Sequence, residues 1–335
     1  MSAVPAPFAL LGLIQGAMLS QALYAAASLG IADVLADGPR PATDIAKQVD
    51  ADPDATYRLL RVLASYGIFA EGTGQRFELT PMADALRTDA PMSMRRIALL
   101  MGHPTHWEDW GHFLEAVRTG EPSLPKVRGM SAWDFFTAEP EYAAVFFGGM
   151  GNLSDLENEP VAAAVDYSRF ARIVDVGGGR GNLLAAILRR APGSSGVVFA
   201  PPTVEEAEQV LTEAGVADRC TAEAGSFLET IPAGGDAYLL KHIVHDWPEE
   251  QAVDILRNVR KAIKPDGKLL LMENVVPEGN TPHSSKLIDL WLLLLVGGRE
   301  RTEAEYDRLL TAAGFALSTI TETAAGLSVI EADPV

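Results

Sequence analysis

The chain has 335 residues, 48% of them apolar, which is enough to fill two cores. Its 27 Lys and Arg stand against 45 Asp and Glu, a formal charge of -18 that repels phosphate backbones and anionic lipid and argues against nucleic acid and membranes as partners. A single cysteine, Cys220, excludes an intrachain disulfide and leads us to expect a reducing, cytoplasmic setting.

The first segment, MSAVPAPFALLGLIQGAM, is apolar but lacks a basic start, and reads as an amphipathic packing helix interrupted by Gly12 and Gln15 rather than a signal peptide. The longest apolar run, Leu287 to Val296, contains Asp289 and falls short of the about 20 residues a span takes, so no membrane span is expected. From Gln21 to about Thr88 the periodicity is helical, with apolar positions at Leu23, Ala27 and Ile31 and a stripe at Leu59, Val62, Leu63 and Tyr66. The piece FAEGTGQRFELTP then supplies two extended runs around a glycine turn, the shape of a β-wing after a helical triplet. A winged helix can bind DNA, but this one brings only Arg58 and Arg61 on its presumptive recognition helix, and pairing of two subunits through apolar helix faces fits better.

Between Pro91 and about Asp166 lies a helical stretch rich in aromatics, among them Trp107, Trp110, Phe113, Trp133, Phe136 and Phe147. Most of these belong in a core, although one wall of a ligand pocket is a second use for them. From Arg172 the rhythm becomes strand, helix, strand: ARIVDV, SGVVFA, DAYLLKH and GKLLLMENVV are short apolar runs separated by helical patterns, which predicts a buried parallel sheet wound by helices. The runs LSTITET and GLSVIEA read as a closing hairpin.

The first of these strands ends in IVDVGGGRGN, with Asp175 just before Gly177, Gly179 and Gly181. Such a turn lets a nucleotide-like ligand approach main-chain N-H groups at the next helix N-terminus. As a dinucleotide fingerprint the match is incomplete, because Asn182 occupies the last glycine position, and this argues against NAD.

Three motifs occur in order: D-V-G-G-G-x-G from Asp175, K-H-x-x-H-D-W from Lys241, and G-G-x-E-R-T-E from Gly297. Together they make the chain resemble the plant caffeate-type and bacterial polyketide or phenazine O-methyltransferases, and the resemblance covers almost its whole length. It implies an α/β fold: a Rossmann-like class I methyltransferase domain with a seven-stranded doubly wound sheet over 166–335. Before it are implied a mainly helical winged-helix dimerisation domain over 1–100 and a helical bridge over 101–165 that contributes to the acceptor pocket.

The same resemblance implies S-adenosylmethionine as cofactor, a small-molecule acceptor with a phenolic hydroxyl, a homodimer, and His245 as general base flanked by Glu273 and Glu300. Cofactor contacts are implied for Asp175, Gly177, Gly179, Ala200, Ser226, Phe227 and Lys241, and acceptor contacts for Phe147, Met150 and Trp291. No His, Cys and carboxylate cluster shows metal-ligand spacing, so no metal is expected. The chain departs from the family at two places: Ala200 and Ser226 stand where relatives carry acids that contact the ribose and adenine ends of the cofactor. That departure supports an alternative expectation, a methyltransferase-fold protein that has lost normal S-adenosylmethionine binding and takes another small molecule.

Overall fold

The computed structural model describes residues 4–199 and 204–335. The chain forms two units, Met1–Gly111 with Phe136–Leu153, and His112–Phe135 with Ser154–Val335. The segment 101–165, read from sequence as one bridge, is therefore divided between both units.

The first unit opens with a helix over Ala6–Ser28. Gly12 and Gln15 do not interrupt it, and it is not amphipathic in its first half: Phe8, Leu10, Leu11, Leu13 and Ile14 are all exposed, and residues at these spacings point to every side of a helix. By length and composition this 23-residue helix could cross a membrane, which corrects the expectation that no segment reaches that length. The helix Pro53–Ser65 starts where the Asp52 carboxylate accepts from the Ala55 amide at 2.8 Å and Pro53 presets the first turn. Three short strands follow the winged-helix plan: β1 (Arg40–Pro41), β2 (Phe69–Gly72) and β3 (Arg76–Leu79), antiparallel in the order β1-β3-β2. Ile31, Leu35, Ile45, Leu60, Leu63, Phe69 and Phe77 form their core.

In the second unit the strands are β4 (Arg172–Val176), β5 (Ser195–Phe199), β6 (Cys220–Glu223), β7 (Ala237–Lys241), β8 (Lys268–Glu273), β9 (Phe315–Glu322) and β10 (Ser328–Pro334). They form one seven-stranded sheet in the order β6-β5-β4-β7-β8-β10-β9. The first five are parallel, and β10 runs antiparallel to both β8 and β9. Val174, Val176, Leu239, Leu240 and Leu269 to Met272 are buried because both faces are covered, which is why these strands are continuous apolar runs. Helix Asn182–Arg190 packs on one face, and helices Glu249–Ala262 and Glu303–Ala312 on the other. The last of these starts at a capping box between Thr302 and Glu305. Because β5 and β7 lie on opposite sides of β4, the strand order reverses at the carboxyl end of β4, the position where open α/β sheets bind ligands.

Candidate active site

Four of the residues singled out in the sequence surround the carboxyl end of β4. Asp175 lies in β4 and is 1% exposed, and its Oδ2 has no hydrogen-bond partner among the described residues. Burial raises its carboxyl to about pH 7, an effect that nearby Lys241 opposes. Gly177 has φ +72, and a Cβ there would stand 2.4 Å from Ile243 Cδ1. A Cβ on Gly178 would stand 2.5 Å from Asp175 Oδ2, so only glycine lets the chain fold over that carboxylate. Gly179, at φ +53, has nothing within 4 Å of its Cβ position and leaves the turn open. The next helix, Asn182–Arg190, is capped by Gly181 without a side chain, so its first N-H groups receive no side-chain oxygen from the cap residue. An orphaned buried carboxylate suits the sulfonium of S-adenosylmethionine, and an open glycine turn with an uncapped helix start suits that cofactor's oxygen acceptors.

Ser226 and Phe227 follow β6, where the Phe227 ring meets Trp247 edge to face at 6.1 Å. Ala200 lies outside the described residues. Lys241 ends β7, and its ammonium donates to the Ser154 carbonyl at 2.9 Å and the Asn158 amide oxygen at 2.7 Å, with Glu157 at 3.5 Å. Its charge is thus committed to the 154–158 turn of a helix, which leaves packing and backbone as its means of contact with a cofactor.

His245 sits in a 3-10 turn, Val244–Asp246, just past β7. Nδ1 lies 3.2 Å from Glu300 Oε1 and 3.4 Å from Glu273 Oε2, while Nε2 is 3.6 Å from Asp246 Oδ1. Glu273, at the end of β8, accepts the amides of Ile243 and Val244 at 3.1 and 3.0 Å and so ties the turn to the sheet. Glu300 accepts from Asn274 Nδ2 at 2.8 Å, and its own amide donates to Asp289. Arg301, 1% exposed, donates to the Val244 carbonyl at 3.1 Å and pairs with Glu249. Burial lowers the His245 imidazole, but Glu273, Asp246 and Glu300 outweigh it and push the group up to about 10.

The sequence shows no metal-ligand spacing, yet the fold brings a ring nitrogen of His242, a ring nitrogen of His245 and a Glu273 oxygen within 4.8 Å of one another. Sequence reasoning missed His242, Glu157, Asn274 and Asp289. Of these, His242 carried a local signal as the first histidine of K-H-x-x-H-D-W, and Asn274 by its place directly after Glu273.

Phe147 and Met150 belong to the first unit and Trp291 to the second. Phe147 is half exposed and packs on Phe136 at 5.1 Å and Phe146 at 5.5 Å. In the same unit Trp107 and Trp110, with Ser20, Met101 and His106, line a cavity of about 420 Å³, so part of the aromatic stretch does border open space.

Comparison with known proteins bears on the whole chain. A family model for the O-methyltransferase domain matches residues 110–316, and one for the O-methyltransferase dimerisation domain matches 11–89. The phenazine O-methyltransferase of Lysobacter antibioticus is 41% identical over 334 residues, covering 99% of this chain and 98% of that protein. The mitomycin biosynthesis 6-O-methyltransferase of Streptomyces lavendulae is 41% identical over 305 residues, 90% of this chain and 87% of that one. A methyltransferase of calicheamicin biosynthesis, solved in its SAH-bound form, superposes with a TM-score of 0.89 at 34% identity and covers 100% of both chains. These similarities do not favour the alternative of a protein that has abandoned the cofactor, despite Ala200 and Ser226. The chain belongs to the family of S-adenosylmethionine-dependent O-methyltransferases.

Proposed function

We propose that this enzyme methylates a hydroxyl group on an aromatic or polyketide-like metabolite, with His245 as general base. The observation that carries the reading is a buried imidazole whose Nδ1 is hydrogen-bonded to Glu300 and faces Glu273, both carboxylates buried, which leaves Nε2 as the nitrogen that can meet an acceptor hydroxyl.

The energetics support that role. A phenol near pKa 10 gives its proton to an ordinary imidazole near 6.5 only at a cost of roughly 5 kcal/mol. Raised to about 10, His245 nearly matches the phenol, and the transfer itself becomes close to even. S-adenosylmethionine supplies a methyl group already activated on sulfur. Asp175, Gly177, Gly179, Ser226 and Phe227 are the residues that would hold it; alignment of the acceptor and removal of its proton are left to the protein. Phe147, Met150 and Trp291 are the proposed acceptor contacts, and aromatic walls suit a planar acceptor. The phenazine and mitomycin relatives support this substrate class and a place in secondary metabolism.

We further infer a homodimer. The dimerisation-domain match and the exposed apolar residues of helix Ala6–Ser28 support it, as the acidity supports the exclusion of nucleic acid. A buried, unpaired Cys220 supports a cytoplasmic location.

Calorimetric titration with S-adenosylmethionine and S-adenosylhomocysteine tests the first step. Mass-spectrometric turnover on hydroxylated phenazines, naphthoates and benzoates tests the second. Micromolar cofactor binding and a methylated product lost in His245→Ala are expected. Undiminished turnover in that variant would remove His245 from the mechanism.

A further inference from the structure

Among the described residues, His242 is one of three non-glycine residues with positive φ, at +54°, a backbone conformation that costs about 1–2 kcal/mol and persists only where its surroundings hold it. The bend lays its ring against His245, with centroids 5.1 Å apart and planes at 29°. Its Nε2 lies 2.8 Å from Glu157 Oε2, a carboxylate on helix Pro140–Ala164 that is itself 8% exposed. Its Nδ1 is buried and without a hydrogen bond among the described residues, and so is Glu273 Oε2. Two polar atoms left open in one cluster, each beside the base, call for a common explanation.

We propose that His242, together with Glu157, is the exit by which His245 returns its proton to solvent after each turnover. The inference rests on the reading of His245 as the base. His242 touches neither acceptor nor cofactor in this scheme; it is a positioning residue that acts through His245.

The steps conserve protons and change no bonds other than N-H and O-H. His245 gains a proton at Nε2 from the acceptor hydroxyl and passes one from Nδ1 to Glu273 Oε2, 3.4 Å away. From there it goes to His242 Nδ1. One ring nitrogen of His242, one of His245 and one Glu273 oxygen lie within 4.8 Å of one another, and a gap of that size is one that a single bridging water crosses with two hydrogen bonds of roughly 2.8 Å. His242, now cationic beside Glu157, releases the proton from Nε2, and water-mediated tautomer exchange resets both rings, returning the hydrogen of His245 to Nδ1 and that of His242 to Nε2. The route leads outward: the His242 side chain is 25% exposed and that of His245 9%.

The surrounding charges make unaided release of the proton from His245 slow. Glu157 faces His242 with Lys241 behind it, and although burial works against ionisation these two neighbours hold its carboxyl below the usual range. On the other side stand Glu273, Glu300, Asp246 and His245 itself, which together retain a proton tightly. A base in that position sheds its proton slowly unless another group draws it away.

The test is nitrogen NMR on the full chain labelled with 15N-histidine; there are six histidines, and His245→Asn assigns the relevant signal. The quantity read is the rate at which the His245 ring N-H exchanges with water. His242→Asn keeps a residue that tolerates positive φ, and Glu157→Gln keeps size and removes charge. Both should slow the exchange at least tenfold while the His245 shifts still report a protonated ring, and added imidazole should restore the rate in His242→Asn. Exchange within twofold of the parent in either folded variant would overturn the proposal. Should His242→Asn fail to fold, Glu157→Gln decides. The measurement needs neither acceptor nor turnover, so its failure leaves the methyl-transfer reading intact, and failure to find an acceptor leaves this result standing.

Discussion

Gly298 lies directly against the His245 backbone: a Cβ built on it would stand 2.0 Å from the His245 carbonyl oxygen and 2.8 Å from the Asp246 carbonyl carbon. The neighbouring Arg299 amide donates to the same oxygen at 2.8 Å. Both atoms belong to backbone that cannot swing aside as a side-chain tip would. Gly298→Ala should therefore displace the base more than it unfolds the domain. We expect a loss of about a hundredfold in kcat, with a stability cost of about 1–3 kcal/mol. Single-turnover kinetics beside urea denaturation check both, and near-normal kcat would show that the turn can move without consequence.

The two carboxylates on His245 should differ when each becomes an amide. Glu300→Gln can keep the Asn274 contact through its oxygen and loses mainly charge. His245 then holds its proton less tightly, and the activity profile should move toward lower pH by on the order of one unit. Glu273→Gln fares worse. Its oxygen must still accept the Ile243 and Val244 amides, which turns the NH2 toward His245 Nδ1 at the place now taken by Oε2. Two donors then face each other, so kcat should fall further than in Glu300→Gln. Equal effects in the two variants would count against the distinct roles.

Much of this architecture is legible in the linear chain, and the exceptions have physical causes. β4, β5, β7 and β8 announce themselves because both faces are covered and their central residues form short apolar runs. β6 does not, because it is a four-residue edge strand in which Thr221 and Glu223 are exposed. His245, Glu273 and Glu300 are implied by the family resemblance that the three motifs carry; His245 follows β7 and Glu273 ends β8, whereas Glu300 follows a helix. The pairing of His242 with Glu157 spans 85 residues and joins a loop to a helix read as an aromatic wall, so no local pattern encodes it. The first helix misled for another reason. Its glycine and glutamine suggested an interruption, whereas the surrounding Leu and Ala residues carry the helix through them.

The pH dependence of catalysis distinguishes a perturbed base from an ordinary one. Only the deprotonated imidazole can accept a proton, and with the group raised to about 10 that form is scarce at neutral pH. For a phenolic acceptor, kcat/KM should climb nearly tenfold per pH unit from about 6 to about 9. A histidine near 6.5 would instead level off by about 7.5. An early plateau would show that the carboxylates do not hold the proton as described.

Asp175 offers a contrast between stability and binding. Its carboxyl is raised from the usual 3.8 to about 7 because burial penalises the charge. A folded-state pKa above the unfolded one means that folding favours the protonated acid. Its contribution is therefore intact below about pH 4, erodes as the pH rises toward 7, and stays lost above. Asp175→Asn keeps the shape and removes the charge, so the variant should melt several degrees above the parent at pH 8 and close to it at pH 4. The same charge, buried beneath the glycine turn with an open Oδ2, is what a sulfonium-bearing cofactor would meet, so S-adenosylmethionine should bind the variant at least tenfold more weakly at pH 8. Thermal melts at the two pH values and calorimetric titration measure the two effects separately. A variant no more stable at pH 8 than the parent would mean that a counter-charge, of which Lys241 is the nearest candidate, already neutralises Asp175.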